Sequence, residues 1–525
     1  MTSAEPKTNG LASARLWPVV AVALGLALAT RLPHFVNLAV PLGDGGMFAQ
    51  IVDDLRANGL RLPNRTHYNE LSLPLSYPPL GFYVTAIVGM LTGLPTLEVQ
   101  KWMPLLFNLG AVVAFVHLAK RMLEDRRAVW VASILFALLP STAAWLMMGG
   151  GMTRSPGFFF SILAMVAGYD ALKKGRARDI ARTGLFAGLA GLSHLESGTL
   201  VCLTLFLFGL RFSPPQLSVR RLLPAAGLAV AVALPWFLWL VANVGFEPLR
   251  NASKTGGAPL LWSVGNIAQG KILVDFPGLG VGLIVWSAIL LRRRDWFFPA
   301  WLAIVVLFVS RSAYTQSTIP GCLMVGQAWV ALTGWLGERR WPALLRPAFS
   351  VGLWSVVAVG FTAARAINLY VFDFPFRASR SDNLGRVSAA QRAAMEWCRA
   401  NTPEDARFFV LSERMEHWYH DVTGEWLPYL AQRKAVMTVQ GREWRPNREF
   451  DRWSKALARA ANTERRADLH AMMDEVGIRY DHVFVSGPLE PAQKALAHEI
   501  ACDPTYRLVY DRGGVQVYRA SRMLP

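Results

Sequence analysis

Apolar residues occur along this chain, as far as about residue 371, in blocks of the length that a bilayer demands. A helix that crosses the hydrocarbon core needs about 17–25 predominantly apolar residues. The blocks predict a polytopic α-helical membrane protein with about eleven transmembrane helices and further juxtamembrane helices. Two of the blocks are short, because the polar sequence SHLESG separates them. The predicted spans are 16–34, 99–118, 128–147, 157–171, 183–197, 198–212, 222–243, 275–291, 296–310, 320–337 and 347–371.

The composition agrees with this class, since 53% of the residues are hydrophobic and only 17% are charged. A soluble domain carries about a quarter of charged residues. The net charge of +18 invites a nucleic-acid-binding interpretation, but its distribution argues against one. The basic residues form short clusters between apolar blocks, which is typical of polytopic membrane proteins and suits anionic lipid headgroups. We therefore expect membrane lipids, and no nucleic acid, as partners.

The connections between the spans fall into two alternating sets of unequal positive charge. One set carries eighteen lysines and arginines and the other five, although the loops of the second set are longer. Because cytoplasmic loops are enriched in Lys and Arg, the first set is predicted to be cytoplasmic and region 372–525 to be extracytoplasmic. The first set comprises Lys120, Arg121, Arg126, Arg127, Lys173, Lys174, Arg176, Arg178, Arg182, Arg211, Arg220, Arg221, Arg292, Arg293, Arg294, Arg339, Arg340 and Arg346; the second comprises Arg154, Arg250, Lys254, Lys271 and Arg311.

One apolar segment, residues 77–95, leaves the topology of the N-terminal part open. Its length just suffices to span a bilayer, but it also suits a helix lying in the interface. If it does not cross, residues 1–15 form a cytoplasmic tail and the loop 36–98 faces outward. If it crosses, that loop is cytoplasmic. The charges on either side do not distinguish the two arrangements.

The last third of the chain has the pattern of a small soluble α/β or α+β domain, 372–525. The sequences NTPEDARFFVLSE, RYDHVFVS and YRLVYDRGGVQVYRA predict strands, the last of them a hairpin with a GG turn. Between the first two strands, residues 445–477 predict charged amphipathic helix. A disulfide between Cys398 and Cys502 and two unpaired thiols are both compatible with an extracytoplasmic domain.

Asp44 is the first candidate functional residue. It lies in the sequence GDGG, at the end of the first span, and an amphipathic helix carrying Asp53 and Asp54 follows it. Glycines on both sides let a backbone approach a ligand closely. One interpretation is a catalytic base or metal-binding carboxylate at the lipid–water boundary; the other is a helix cap, where acids are favoured.

Three further candidates follow along the chain. Tyr77 precedes two prolines that start the next apolar helix, and a rigid helix start explains this motif without substrate contact. Lys101 lies at the outer end of a predicted span, where it either meets a phosphate or snorkels to the interface. Arg154 lies in the outer loop GGGMTRSP, where it either pairs with a phosphate or faces water.

The sequence SHLESG places His194 and Glu196 inside an apolar region, where ionisable groups are costly and usually line a cavity. A His–Glu pair that holds two helices together is the alternative. With Asp44 these residues would offer ligands for a divalent cation, although the spacing is common in proteins. Arg311, Tyr314 and Gln316 gather at another helix mouth, which suits sugar or phosphate recognition as well as an ordinary polar turn.

The soluble domain carries the sequences EWLPYLAQR (425–433) and QGREW (440–444), which combine tryptophan with charge. Loops that face carbohydrate often have this composition, but buried tryptophans are commoner in a small domain. The chain shows no P-loop, dinucleotide fingerprint, nucleophile elbow or zinc-ligand spacing.

Taken in order, these features resemble the GT-C glycosyltransferases, integral-membrane enzymes that use polyprenyl-phosphate sugar donors. The similarity is greatest to the protein O-mannosyltransferase and lipid A aminoarabinose transferase branches. It consists of a first loop with the acid Asp44, a juxtamembrane helix, the PPL helix start at 78–80, the basic residue Lys101, basic cytoplasmic turns, the polar break at 194–198 and a final soluble domain. It covers most of residues 15–370.

The resemblance implies that the loop 36–98 is extracytoplasmic and that the PPL helix belongs to it. It implies a plasma-membrane enzyme that transfers a sugar, with inversion, to an extracytoplasmic protein, glycolipid or glycan. Asp44 would act as the base or position the acceptor, and Lys101, alone or together with Arg154, would steady the departing polyprenyl phosphate. The sequence establishes no cofactor and leaves a divalent cation open.

The chain departs from the family at two positions. Gly45 stands where relatives often have a second acid or a tyrosine, and Tyr77 stands where many have a lysine or histidine. The oligosaccharyltransferase branch is disfavoured, because the soluble domain lacks a WWDYG-like sequence. A transporter or flippase for a lipid-linked glycan and a non-catalytic membrane subunit are the alternatives; a transporter would be expected to show repeated halves, which the sequence does not.

Overall fold

The computed structural model describes residues 16–36, 38–254, 277–308, 312–338 and 386–524, which form a helical part followed by a part built around a sheet. The helices of the first part are α1 (Trp17–Arg31), α2 (Gly46–Ala57), α3 (Leu80–Thr92), α4 (Thr96–Met122), α5 (Arg126–Leu138), α6 (Gly151–Lys174), α7 (Ala177–Ser193), α8 (Leu195–Phe212), α9 (Pro215–Asn243), α10 (Glu247–Lys254), α11 (Pro277–Arg292), α12 (Phe297–Phe308), α13 (Ala313–Gln316) and α14 (Thr318–Glu338).

Four helices of the described ranges, α4, α6, α8 and α9, are long and apolar enough to cross a membrane. A fifth candidate is the broken pair of α5 and the segment Pro140–Leu146, which are bent by 77° at Leu139. Shorter apolar helices are α1, α3, Gly280–Arg292 and α12. The predicted polytopic helical class is therefore confirmed, while the count of eleven spans stays a prediction.

The polar break predicted at SHLESG is present. Helix α7 ends at Ser193, α8 begins at Leu195, and His194 between them has an extended backbone with φ −157° and ψ 125°. The predicted span 347–371, the tail 1–15 and the domain boundary at 372 lie outside the described residues.

Helix α3 is the segment whose topology the sequence left open. Its 13 residues measure about 20 Å at 1.5 Å per residue, which is shorter than the hydrocarbon core of about 30 Å. Pro79 is its N-cap residue, as the PPL start predicts. This length favours the arrangement in which the segment belongs to the first loop.

A buried arginine fastens the helices of the first part together. Arg31, at the end of α1, is 1% exposed; it donates hydrogen bonds to Asn108 Oδ1 of α4 (2.6 Å), to the Ala137 carbonyl of α5 (2.5 Å) and to Thr142 Oγ1 (2.8 Å). A charged group in a membrane protein is stable only when such partners replace water. The sequence analysis did not single out this residue.

The C-terminal part contains a five-stranded sheet. Its strands are β3 (Arg407–Leu411), β4 (Lys434–Ala435), β5 (Tyr480–Ser486), β6 (Tyr506–Arg512) and β7 (Val515–Leu524); the helices of this part are α15 (Ala389–Asn401), α16 (Val422–Leu430), α17 (Glu449–Ala461), α18 (Arg466–Val476) and α19 (Pro491–Cys502). The strand order is β4–β3–β5–β7–β6. Strand β3 is parallel to β4 and to β5, whereas β7 is antiparallel to β5 and to β6. The three predicted strand regions, including the hairpin, are confirmed.

The sheet-containing C-terminal domain packs against the first loop, residues 36–98. Val40 and Ala49 of that loop share one hydrophobic cluster with Phe408, Trp426 and Leu427 of the domain. The loop contributes a small two-stranded sheet of β1 (Arg65–Thr66) and β2 (Leu73–Pro74).

Asn69 of the loop binds the edge of the large sheet through both of its amide atoms. Its Nδ2 donates to the Ala435 carbonyl (3.0 Å), and its Oδ1 accepts from the Ala435 N–H (2.9 Å). The side chain thus replaces a neighbouring strand and satisfies an edge that would otherwise be unpaired.

The cysteines do not form a disulfide. Cys398 is a buried free thiol in α15 and Cys502 an exposed free thiol at the end of α19. Of the two alternatives that the sequence left open, the structure has the unpaired thiols.

The docking of the domain on the loop can be tested with Asn69→Asp. This change keeps the acceptor but replaces the buried donor to the Ala435 carbonyl by an oxygen. We expect it to lower the free energy of unfolding by about 1–3 kcal/mol, measured by calorimetry in detergent. Asn58→Asp is the control, because Asn58 makes an exposed hydrogen bond to the Arg61 carbonyl. An equal effect of both variants would contradict the role of Asn69.

Candidate functional site

The candidate site lies where the first loop meets the start of α6. Asp44 precedes α2, whose N-cap residue is Gly45 and which has no side-chain cap. The helix-cap interpretation of Asp44 is therefore wrong. The predicted amphipathic pattern is present, since Phe48, Ile51 and Leu55 are at most 2% exposed.

Asp44 forms an ion pair with Arg154. Arg154 Nη2 lies 2.5 Å from Asp44 Oδ2 and Nη1 lies 3.4 Å from Oδ1. The Gly150 N–H donates to Oδ1 at 3.1 Å. The two side chains are 16% and 11% exposed, so they are largely, but not completely, shielded from water. A shielded pair of this kind is stable because each charge has its partner and further hydrogen bonds.

Arg154 differs from its predicted surroundings, because the sequence GGGMTRSP is not a loop. Helix α6 begins at Gly151 and includes Arg154 in its first turn. The guanidinium also lies over the Trp145 ring, 4.7 Å from the ring centroid, where a planar cation is attracted by the ring face. Its Nε is buried without a hydrogen-bond acceptor among the described residues.

Two glycines allow the loop to approach α6. Gly45 has φ 155°, which is unfavourable for a residue with a side chain; a Cβ there would lie 2.8 Å from Trp426 and 2.9 Å from the Gly149 Cα. A Cβ on Gly149 would lie 2.1 Å from the Asp44 carbonyl oxygen. The glycine Gly45 of GDGG thus permits close approach to the Trp426 ring and the Gly149 backbone, whereas the predicted approach to a ligand stays a prediction.

The soluble domain reaches the same loop through α16. Glu425 Oε1 accepts the Gly45 N–H at 2.8 Å, and Trp426 Nε1 donates to the Gly43 carbonyl at 2.8 Å. From the membrane side, Gln100 Nε2 donates to the Gly45 carbonyl at 2.9 Å. The backbone on both sides of Asp44 is therefore held by side chains from two parts of the molecule.

Glu425 is 7% exposed, and its surroundings disfavour its charged form. Burial raises the pKa of its carboxyl group well above the ordinary value, and the negative charge of Asp44 raises it further. Burial likewise raises the pKa of Asp421, at the start of α16, to about 6. The carboxyl group beside Asp44 is thus favoured in its neutral form.

Aromatic rings line the next part of the site. The ring centroids of Tyr77 and His194 are 6.3 Å apart, those of Trp145 and His194 5.6 Å, and those of Tyr77 and Trp444 6.2 Å. Through Trp145 this wall touches Arg154. Of the predicted site residues, the structure thus brings Asp44, Arg154, His194 and Tyr77 together.

The other predicted residues have different neighbours. Lys101 forms a salt bridge with Glu98 of its own helix (3.1 Å) and lies over the ring of Trp102. Its neighbour Gln100, which the sequence analysis did not select, is the residue of α4 that contacts the Asp44 loop. Glu196 accepts a hydrogen bond from Ser312 at 2.6 Å.

The predicted recognition cluster at 311–316 is only partly described. Arg311 lies outside the described residues. Tyr314 is half-buried in α13, and Gln316 is 1% exposed. The Oε1 atom of Gln316 is buried without a donor among the described residues. Their predicted contact with a sugar stays a prediction.

The metal site considered from the sequence is not formed. Within the described ranges, no three His, Cys, Asp or Glu side chains lie close enough together to hold a metal ion. Asp44 instead has Arg154 as its partner, and Glu196 binds Ser312, so these two and His194 do not converge as a set of three ligands.

The two tryptophans in the sequences 425–433 and 440–444 are buried, which agrees with the alternative that they belong to the core of a small domain. Trp426 is 0% and Trp444 4% exposed. Both nevertheless take part in the site, Trp426 through the Gly43 carbonyl and Trp444 through the ring of Tyr77.

A groove of about 450 Å³ lies between α3, α7 and α9, and its lining residues Pro79 and Leu192 are each two positions along the chain from Tyr77 and His194 of the aromatic wall. Its volume is in the range of small-molecule sites. Trp236 of this groove is 6% exposed, and its indole N–H has no acceptor among the described residues. The groove is lined by apolar and aromatic side chains with one cation at its rim, namely Tyr83, Leu192, Pro235, Trp236, Trp239 and Arg61.

Glu425, Gln100 and Trp145 contact the site but were not predicted from the sequence as site residues. Glu425 lies 380 residues from Gly45, and no local pattern connects positions so far apart. The only signal was the sequence EW at 425–426, an acid followed by a tryptophan, which belongs to one of the two candidate carbohydrate-facing loops.

Comparison with known proteins identifies the fold. The sequence model of a family described as "6-pyruvoyl-tetrahydropterin synthase related domain; membrane protein" matches residues 76–248, about a third of the chain. These residues are helical and include the four membrane-spanning candidates. No curated protein matches the chain in sequence.

Solved structures match nearly the whole chain. They include the archaeal oligosaccharyltransferase AglB from Archaeoglobus fulgidus, in complex with an inhibitory peptide and a dolichol-phosphate (TM-score 0.52, 16% identity, covering 97% of this chain and 74% of AglB). ArnT from Cupriavidus metallidurans bound to undecaprenyl phosphate has a TM-score of 0.55 and 15% identity, covering 96% and 97%. The arabinofuranosyltransferase AftD from Mycobacteria has a TM-score of 0.55 and 14% identity, covering 99% and 40%.

Because the identities are low, the similarity of these three proteins to this chain shows a shared fold and nothing finer. AglB and ArnT match with similar TM-scores, so the fold is common to both branches. The resemblance stated from the sequence is confirmed at this level: the chain is a membrane protein with the GT-C fold of the glycosyltransferases.

Proposed function

We propose that this protein is a glycosyltransferase that moves a sugar from a polyprenyl-phosphate-linked donor to an extracytoplasmic acceptor, with inversion and with Asp44 as base. The observation that carries the proposal is the ion pair of Asp44 and Arg154 at the end of a membrane-spanning helix. Two proteins of the same fold have been solved with a polyprenyl phosphate, dolichol-phosphate in AglB and undecaprenyl phosphate in ArnT.

The two charges suit the two ends of the transfer reaction. The acceptor oxygen forms a bond to the anomeric carbon and loses its proton to Asp44, while the bond from that carbon to the phosphate oxygen breaks. The phosphate leaves with the electron pair. A carboxylate contributes general-base assistance of roughly 10²–10⁴-fold, and a fixed cation stabilises the charge that develops on the phosphate.

In the structure the two groups neutralise each other, so binding of the donor has to redistribute their contacts. The donor phosphate is a diester with one negative charge, which rises towards two as the bond to the sugar breaks, and Arg binds its free oxygen atoms through its planar fork. Arg154 retains an unused Nε donor and is held over Trp145. Transfer of part of its hydrogen bonding to the donor phosphate would leave Asp44 free to accept the proton.

The groove beside the aromatic wall suits the lipid part of the donor. Helix α9 borders it, and α9 exposes apolar side chains such as Val230, Leu234 and Leu238. An isoprenoid chain would enter from the bilayer between these helices, with its head directed past His194 and Tyr77 towards Asp44.

The orientation follows from the ends of α6. Arg154 lies in the first turn of this helix, whereas Lys173 and Lys174 lie in its last turn, about 30 Å away at 1.5 Å per residue. The positive-inside rule assigns the lysine end to the cytoplasm. The site and the soluble domain that contacts it then face outward.

The role of Asp44 is tested by Asp44→Asn. We expect the turnover number, measured as release of polyprenyl phosphate from a panel of polyprenyl-phosphate sugars, to fall by about 10²–10⁴-fold. Binding of undecaprenyl phosphate should persist, because the cation remains. The matched control is Asp54→Asn, which alters an acid of the same loop whose partners are Gln50 and His67.

Retention of turnover in Asp44→Asn would contradict the assignment of the base. Absence of turnover in the unchanged protein with every donor of the panel would contradict the function itself.

The phosphate contact is tested by comparing Arg154→Gln with Lys101→Gln. Since Arg154 faces the site and Lys101 is paired with Glu98, we expect the first variant to weaken binding of undecaprenyl phosphate about tenfold or more, the loss of one charge-assisted contact. The second variant should change it little. Binding is measured by titration in lipid nanodiscs, and the reverse order of effects would assign the phosphate to Lys101.

A further inference from the structure

The backbone that carries Asp44 is fixed by the soluble domain. The carbonyl that precedes Asp44, from Gly43, accepts the Trp426 indole N–H, and the amide that follows it, from Gly45, donates to Glu425 Oε1; both distances are 2.8 Å. A third contact, from Gln100 to the Gly45 carbonyl, comes from the membrane part, as does the hydrogen bond from the Gly149 N–H to the Leu42 carbonyl, two residues before Asp44. The two contacts directly on either side of Asp44, at the Gly43 carbonyl and the Gly45 N–H, thus come from one turn of α16.

Helix α16 is itself held at this place. The Asp421 side chain caps it by accepting the Gly424 N–H at 3.0 Å, and Tyr68 of the first loop donates its hydroxyl to the Glu425 carbonyl at 2.6 Å. Thr438 donates to the Gly424 carbonyl at 2.6 Å. Glu425 therefore has little freedom to follow the loop if the loop moves.

The charge state of Glu425 suits a holding function. The ionisable groups that act on it are Asp44 and Arg154 of the membrane part and Asp421 of its own element. A neutral carboxyl group accepts the Gly45 N–H through its carbonyl oxygen without repelling Asp44, whereas a second carboxylate at this place would raise the energy of the ionised base.

We propose that Glu425 is a positioning residue for Asp44, so that the soluble domain is part of the active site and the catalytic loop is correctly placed only when α16 is docked. The expected effect on turnover rests on the proposed function, whereas the expected effect on the loop that carries Asp44 does not. A displacement of about 1 Å in a catalytic group costs on the order of 10²-fold in rate, which sets the size of the expected effect.

The test compares three variants of α16. Glu425→Ala removes the acceptor of the Gly45 N–H, and Glu425→Gln keeps a neutral acceptor of the same shape. Tyr429→Phe is the matched control, since it removes another hydrogen bond between α16 and the first loop, from the Tyr429 hydroxyl to Asp53 Oδ2 (2.8 Å), away from Asp44.

The kinetic readout is kcat and KM with the polyprenyl-phosphate sugar that the unchanged protein uses. We expect Glu425→Ala to lower kcat by about 10–100-fold with little change in KM for the donor. Glu425→Gln should restore kcat to within about threefold, and Tyr429→Phe should leave it unchanged. A loss of kcat in Tyr429→Phe equal to that in Glu425→Ala would overturn the proposal, because general loosening of the domain would explain both.

The structural readout is hydrogen–deuterium exchange of the amides at 45–49, which does not depend on any activity. Glu425→Ala should accelerate exchange of this segment, whereas Glu425→Gln and Tyr429→Phe should not. If exchange in Glu425→Ala equals that of the unchanged protein, the positioning role is refuted even when transfer is observed. If exchange increases but no donor is turned over by the unchanged protein, the proposed function fails and the holding of the loop stands.

A pH series supplies the third readout. The pKa of Glu425 is raised in the folded protein above its ordinary value of 4.5. At a pH above 4.5 the folded state therefore binds more protons than the unfolded state, and the contribution of Glu425 to the free energy of unfolding declines as the pH rises. Glu425→Gln cannot ionise. The melting temperature of Glu425→Gln minus that of the unchanged protein should therefore increase from pH 4.5 to pH 8. A constant or decreasing difference would contradict the claim that Glu425 accepts the Gly45 N–H in its neutral form.

Discussion

The ion pair between Asp44 and Arg154 is the interaction on which the arrangement of the site depends. A carboxylate at the end of a membrane-spanning helix, only 16% exposed, is tolerated because a guanidinium and the Gly150 amide compensate its charge. The same pair explains why two glycines are needed, since the loop must approach α6 to within backbone contact. In the proposed mechanism the base and the cation neutralise each other in this pair, and Asp44 becomes able to accept a proton when the phosphate of the donor takes over part of the hydrogen bonding of Arg154.

The two parts of the molecule meet at this pair. The membrane helices supply Arg154, Trp145 and Gln100, and the soluble domain supplies Glu425 and Trp426. The hydrogen bonds of the domain hold the backbone on both sides of Asp44. Burial and the charge of Asp44 raise the pKa of Glu425, which favours its neutral form and disfavours a second negative charge beside Asp44.

Local patterns in the sequence predicted the class and the polar break, and they singled out Asp44, whose catalytic role stays a prediction. Bilayer length, helix interruption and glycine flanking are properties of contiguous residues. The strands of the soluble domain were predictable for the same reason. The partner of Asp44 was not, since GGGMTRSP reads as a loop although α6 begins within it. Lys101 was selected because it lies at the end of a predicted span, yet its neighbour Gln100 contacts the loop. Neighbouring residues of a helix point about 100° apart, and an apolar block does not define which side of the helix faces the site.

The most direct test of the central claim is a cryo-electron microscopy structure of the protein with undecaprenyl phosphate in a lipid nanodisc. We expect a phosphate within hydrogen-bonding distance of the Arg154 guanidinium, an isoprenoid chain in the groove beside Trp236, and an Asp44 carboxylate farther from Arg154 than the 2.5 Å of the present structure. A phosphate bound elsewhere, with the Asp44–Arg154 contact unchanged, would contradict it.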